Sequence, residues 1–135
     1  MPDCLFCKII TGEIPCQKIY EDEDTLAFLD IRPGNPGHTL VIPKIHTLNL
    51  LEISCEDVVK IMNVIKKIAP IIIKTVGAFD FNIIVNVGKE AGQSVLHTHF
   101  HILPRFAGDG YELWKGREVS FDELSQLSQI LKNHF

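Results

Sequence analysis

Gln93-Ser94-Val95-Leu96-His97-Thr98-His99-Phe100-His101-Ile102-Leu103-Pro104-Arg105 holds three of the chain's six histidines within five residues. Side chains of an extended strand alternate between faces, so His97, His99 and His101 are expected on one face, roughly 6.6–6.8 Å apart along the strand. Thr98, Phe100 and Ile102 then point the other way and, being mostly apolar, suit a core. Pro104 has no N–H to give a ladder, so the strand is expected to end near it. A single strand histidine is ordinarily a half-buried polar group. Three on one face gain nothing from packing alone and point to chemistry. A neutral imidazole offers one lone pair that can attack, ligate or accept a proton, while its other nitrogen fixes the tautomer by donating. Spacing leaves two readings open: a metal site, or a nucleophile with neighbours that handle protons.

The chain has 135 residues, the size of one domain, and 46% hydrophobic residues, enough for a core. Its formal net charge of −4 argues against a general nucleic-acid binder. No apolar run reaches the roughly 18 residues of a membrane span. Met1-Pro2-Asp3-Cys4 does not read as a signal peptide, and four cysteines in such a chain point to reduced thiols and a cytoplasmic setting. Cys4 and Cys7 form a C-x-x-C knuckle with no second pair. A four-cysteine zinc site therefore cannot close within one chain, whereas a Cys₂His₂ site can if two histidines approach. Cys16 and Cys55 read as small buried hydrophobes.

Residues 4–11 read as a short helix stopped by Gly12, with Pro15 beyond it. Residues 17–22 and 25–31 read as a hairpin over a solvated acidic turn. Asp30 closes the second strand, ahead of the turn Arg32-Pro33-Gly34-Asn35-Pro36-Gly37. His38 opens a strand over 38–43, and His46 follows it. The main helix is expected over 55–76, with Ser54 as N-cap and Asp57 at N3. Its apolar stripe is Val58, Ile61, Met62, Ile65, Ile68, Ala69 and Ile72. Pro70 is expected to kink this helix or end its first part, and Gly77 to stop it. Residues 80–88 read as a strand buried on much of both faces, with Asn82, Ile84 and Asn86 on one of them. Gly88 and Gly92 allow close backbone approach to a ligand. After an irregular stretch, residues 120–133 form an amphipathic helix capped by Ser120 and Glu123, its stripe being Leu124, Leu127, Ile130 and Leu131. The sum is one α+β domain: a mainly antiparallel sheet of about five strands, with helices on one face.

The run His97-Thr98-His99-Phe100-His101-Ile102-Leu103 resembles the His-φ-His-φ-His-φ-φ signature (φ apolar) of the histidine triad (HIT) family of nucleotide hydrolases and transferases, with Thr98 at the first φ. The likeness spans roughly the first four fifths of the chain. It includes Cys4-Leu5-Phe6-Cys7-Lys8-Ile9-Ile10, Gly12-Glu13-Ile14-Pro15, Tyr20-Glu21-Asp22, Leu26-Ala27-Phe28-Leu29-Asp30-Ile31 and Gly37-His38-Thr39-Leu40-Val41-Ile42-Pro43-Lys44, in that order. It implies a HIT-like fold, with 1–105 as the core and 106–135 as a variable extension of a single domain.

The resemblance also implies an activity: splitting nucleoside monophosphate conjugates at the α-phosphate through a covalent nucleotidyl-histidine. Mapped here, His99 is the nucleophile. His101 and His38 handle charge and protons, and Gln93 and Ser94 orient or protonate the leaving group. Asp30, Ile31, Asn86, Gln93, Ser94, His99 and His101 contact the nucleotide, with Asp30 on the ribose hydroxyls. The N-terminal blocks lean to the nucleoside phosphoramidase branch, while Leu103-Pro104-Arg105 is similar to the fragile-histidine-triad branch. Adenosine phosphoramidates and dinucleoside polyphosphates both stay open as substrates. In some members with the N-terminal C-x-x-C, those cysteines and two histidines form a zinc site, which implies Cys4, Cys7, His46 and His97 as a structural site here. The family commonly forms homodimers and prefers purine nucleotides. Two alternatives remain: a hydrolase with one catalytic metal on the three strand histidines, and a nucleotide-binding module without turnover.

Overall fold

The computed structural model describes residues 3–135. Helix α1 (Leu5–Ile10) is followed by strands β1 (Lys18–Glu21), β2 (Thr25–Leu29) and β3 (Thr39–Pro43). Helix α2 (Cys55–Val76), β4 (Asp80–Val85), a short 3-10 turn at Lys89–Ala91, β5 (Phe100–Arg105) and helix α3 (Phe121–Lys132) complete the chain. The five strands pair antiparallel in the order β1-β2-β3-β5-β4. The expected fold class is therefore observed.

The two faces of the sheet carry separate cores. Ala27, Val41, Phe100 and Ile102 pack against Ile61, Val64, Ile65, Ile68, Ala69 and Ile72 of α2. Leu26, Phe28, Leu40 and Ile42 on the other face pack against Phe6 of α1. This corrects the expectation of helices on one face only: the six-residue α1, too short to hold itself in water, is anchored by Phe6. His101 is paired with Leu40 of β3 and Ile84 of β4, so it lies on the α1 face.

Helix α2 runs unbroken through Pro70. Pro70 is exposed, and the carbonyl its ring leaves unbonded belongs to exposed Lys66, where water can take it up. Ser54 Oγ accepts from the Asp57 amide at 3.1 Å, and Gly77 closes the helix at φ +78°. Strand β4 stops at Val85 and none of its residues is buried. The expectation of burial on both faces fails because β4 is the edge strand, beyond β5, with Ile83 and Ile84 left exposed.

The histidine run is also less regular than alternation implies. The ladder begins only at Phe100, so His97 and His99 precede the strand. The apolar side holds: Thr98, Phe100 and Ile102 are buried. Pro104 does not end β5. It pairs with Phe81 of β4, while its carbonyl, on the side away from β4, accepts from Asn35 Nδ2 at 2.9 Å. The missing N–H would point to that same side, where the pairing with β3 has already ended at Ile102. Cys55 is exposed and Cys16 half-buried, not the buried hydrophobes expected; all four cysteines are free. Helix α3 has no buried residue, although Leu124, Leu127, Ile130 and Leu131 form its stripe. Among the described residues no helix is long and apolar enough to cross a membrane.

Candidate active site and metal cluster

Hydrogen bonds to backbone groups assign the ring nitrogens, because a carbonyl only accepts and an amide only donates. His99 Nδ1 lies 2.7 Å from the His97 carbonyl, so Nδ1 carries hydrogen and Nε2 keeps the lone pair. His97 Nε2 lies 2.8 Å from the Pro43 carbonyl, so its lone pair is on Nδ1. The Gly34 amide donates to His38 Nδ1 at 2.9 Å, which puts the neutral ring's hydrogen on Nε2. That nitrogen is 2.9 Å from His101 Nδ1, which must accept, leaving hydrogen on His101 Nε2.

Burial holds these rings neutral. It lowers the pKa of His101 to about 4, with His99 and His38 adding to the effect and Asp30 opposing it. It also lowers His99, against the His97 carbonyl and Asp30, and His38, against Asp30. Asp30 Oδ2 stands 3.7 Å from His38 Nε2, and Asp30 Oδ1 accepts from the Arg32 amide at 2.8 Å.

His99 and His101 open into a cavity of about 410 Å³. Asp30, Ile31 and Arg32 line one side, Phe28 and Leu40 its floor, and Leu5, Phe6 and Ile9 of α1 its wall. Ser94 and Val95 also reach it. The Phe6 ring edge meets His99 with centroids 5.1 Å apart. The structure thus brings together Asp30, Ile31, Ser94, His99 and His101, with His38 directly behind His101. Asn86 and Gln93 are not among the lining residues. Gln93 is buried and fully engaged: Oε1 accepts from the Gly88 amide, and Nε2 donates to the carbonyls of Leu48 and Val95. Its amide therefore shapes the 88–95 loop and has no free donor for a leaving group. The contribution of α1, the Gly34 amide and the two ring-fixing carbonyls was missed by sequence reasoning. Only Phe6, placed between the knuckle cysteines, offered a signal.

His97 turns away from this cavity. Its Nδ1 lies 3.5 Å from Cys4 Sγ, 3.7 Å from Cys7 Sγ and 3.2 Å from His46 Nδ1, and Cys7 Sγ is 3.4 Å from His46 Nδ1. A tetrahedral zinc with ordinary bond lengths separates its ligands by about 3.3 Å (N to N) and about 3.5 Å (N to S). The four groups are already spaced in that way. His97 Nδ1 is a bare lone pair facing this centre, and a cation there satisfies it together with both sulfurs. His46 turns Nδ1 to the same centre, and its buried Nε2 has no partner. Burial raises the Cys7 thiol, with Cys4 adding to it; binding a divalent cation would offset that cost by stabilising the thiolate. The residues fit zinc.

This orientation corrects the reading in which His97, His99 and His101 converge on one catalytic metal: His97 belongs to a different cluster. Asp30, His38 and His101 also lie close enough to share an ion. There, however, the Gly34 amide keeps the proton on His38 Nε2, the nitrogen that would have to ligate.

The HIT domain family model matches residues 11–108. The crystal structure of SMU.412c from Streptococcus mutans is 46% identical with a TM-score of 0.93, covering 99% of this chain and 86% of that one. Adenosine 5'-monophosphoramidase hnt1 of Schizosaccharomyces pombe is 40% identical over 133 residues, covering 96% of both chains. A Zn-bound histidine triad family protein from Mycobacterium smegmatis is 40% identical with a TM-score of 0.77, covering 96% of this chain and 98% of that one. Sequence signature, fold and family match agree over the same residues, and the protein belongs to the HIT domain family.

Proposed function

We propose that the chain hydrolyses conjugates of a purine nucleoside monophosphate, adenosine phosphoramidates or dinucleoside polyphosphates, at the α-phosphate. The observation that carries this reading is the state of His99: a neutral ring, tied through Nδ1–H to a backbone carbonyl, with its Nε2 lone pair in a cavity beside a second imidazole and a carboxylate. Nε2 attacks phosphorus, a P–N bond forms, and the bond to the leaving group breaks. A leaving amine takes a proton from water at the cavity mouth, a leaving phosphate departs as its anion, and Ser94 at the rim is placed to orient either. Water then attacks phosphorus, its proton passes to solvent, and the P–N bond breaks to return the lone pair to His99. His101 Nε2–H serves as a donor to charge developing on the phosphoryl oxygens. The Asp30 carboxylate accepts from ribose hydroxyls, and Ile31, 89% exposed at the mouth, offers an apolar surface for the base.

Zinc on Cys4, Cys7, His46 and His97 would be structural. It would cross-link α1, which walls the cavity, to the segment that carries His99. A cytoplasmic setting with reduced thiols suits that site. A core over 1–105 with an extension over 106–135 draws support from a family match over residues 11–108. Homodimer formation is supported by the unpartnered stripe of α3 and the open edge of β4.

The test is intact-protein mass spectrometry after a rapid, non-acid quench with an adenosine phosphoramidate. A nucleotidyl adduct is expected on the wild type and not on His99→Ala. Turnover by His99→Ala at the wild-type rate would overturn the reading.

A further inference from the structure

We infer that Tyr111 is a positioning residue for the histidine cavity, acting through Gly34 and His38 on the tautomer of His101. The Tyr111 hydroxyl donates to the Gly34 carbonyl at 2.7 Å. On its other side, Gly34 donates its amide to His38 Nδ1, and His38 Nε2–H donates to His101 Nδ1, each at 2.9 Å. Four groups in a row thus run from the C-terminal segment to the cavity: the Gly34 carbonyl can only accept and its amide only donate, and the bond from that amide fixes the direction of the one between His38 and His101.

Gly34 is the weak link of that row. It has no side chain to restrain it, so its backbone is the most adaptable of the four. Two hydrogen bonds hold the polar groups of Gly34 itself, one to His38 and one to Tyr111, while the next residue, Asn35, is tied separately. Without the second, the turn can swing the amide off His38 Nδ1. His38 is then free to place its hydrogen on Nδ1 and offer a lone pair to His101. His101 would follow, losing the hydrogen on the ring edge away from His38, where the proposed reaction needs a donor. A lone pair there would face phosphoryl oxygens and repel them.

Tyr111 is itself held in place. Its amide donates to Asp109 Oδ1 at 3.1 Å, and its carbonyl accepts from the Arg105 guanidinium at 2.8 Å. That guanidinium also bonds Asp109 and lies 5.8 Å from the Tyr111 ring centroid. Asn35 Nδ2 ties the turn to both Pro104 and Asp109. Arg105 ends β5, the strand that carries His101, so the circuit closes on itself. The Tyr111 residue is 48% exposed, which makes its hydroxyl contact, and not core packing, its main contribution. It lies past residue 108, where the family match ends.

The rate arm of the test rests on the hydrolysis proposed above; the spectroscopic arm does not. Tyr111→Phe keeps the ring and removes the hydroxyl. Expected results are a fall of about tenfold in kcat on an adenosine phosphoramidate, with KM within about twofold. The unfolding midpoint stays within about 2 °C. The ¹⁵N imidazole shifts of resting His38 move from one Nε2–H tautomer toward a mixture. Glu112→Gln, the adjacent exposed residue, leaves all four readings at wild-type values. Unchanged His38 and His101 shifts in Tyr111→Phe overturn the inference, whatever the rate does. A loss of rate accompanied by a lower midpoint and unchanged tautomers likewise reduces Tyr111 to a structural role. If the wild type turns nothing over, the proposed reaction fails while the shifts still decide the tautomer chain.

Discussion

Gly37 precedes His38 at φ +85°, and a Cβ built on it would lie 3.0 Å from Ile72 Cγ2, 3.0 Å from Val76 Cγ1 and 3.2 Å from Pro104 Cγ. Ile72 and Val76 are β-branched residues of α2 with one strongly preferred rotamer, so neither can easily give way. Gly37→Ala therefore carries two costs. An L side chain in the left-handed region costs about 1–2 kcal/mol. Wedging a methyl between α2 and β5 costs about 1–3 kcal/mol more. Gly12 separates the two, because it has nearly the same φ, +81°, and nothing lies within 4 Å of the place a methyl would take there. Gly12→Ala should show the conformational cost alone. With an unfolding entropy of about 2.1 cal/mol/K per residue over 135 residues, 1 kcal/mol moves the midpoint by about 3.5 °C. Gly37→Ala is then expected to melt about 7–18 °C below wild type, and Gly12→Ala about 3–7 °C below. Calorimetric melts at neutral pH and equal zinc content measure both. Midpoints that agree within about 2 °C would refute the close-packing argument at Gly37.

Zinc content of the wild type is expected at about one ion per chain by elemental analysis, from the single four-ligand cluster among the described residues. Cys4→Ser should lower both zinc content and melting midpoint; a strong chelator that shifts wild type and Cys4→Ser equally would count against the site. His101 titrates at about 4 when folded, below its value of about 6.5 in an unfolded chain, so the unfolded state binds the extra proton. Its contribution leaves stability full above pH 6.5 and lowers it as pH falls toward 4, by at most about 3 kcal/mol. Denaturant titrations at pH 7.5 and 5 should show a smaller acid loss in His101→Gln than in wild type, and an equal loss would refute the assignment. Asp109 accepts from Arg105, Asn35 and the amides of Phe106 and Tyr111, which hold its carboxyl well below the usual range. Asp109→Asn should speed hydrogen exchange at the amides of Phe106 and Tyr111 while those of β4 stay protected; unchanged exchange at both would show that the loop is held by other contacts.

Local chemistry was legible in the residues themselves. Ser54 and Gly77 cap α2 as their side-chain and backbone preferences dictate, and that helix spans 55–76 as expected. The alternation Thr98, Phe100, Ile102 marked a buried face, and the histidine signature marked the family. The C-x-x-C spacing restricted any zinc site to two cysteines and two histidines. Each of these depends on neighbours along the chain, or on counting ligands.

The tertiary structure decided what depends on distant partners. Which strand lies at the sheet edge is set by pairing order, so β4 is exposed despite an apolar sequence. Pro104 stays in β5 because no strand competes for its missing donor, a fact of where β3 ends. The three histidines look equivalent on paper, yet His97 faces Cys4 and Cys7 while His99 and His101 face a cavity. Their tautomers follow from carbonyls at Pro43 and His97 and from an amide at Gly34. Sequence supplies an imidazole with two nitrogens; only a folded backbone, which can donate or accept but never choose, determines which of the two holds the lone pair.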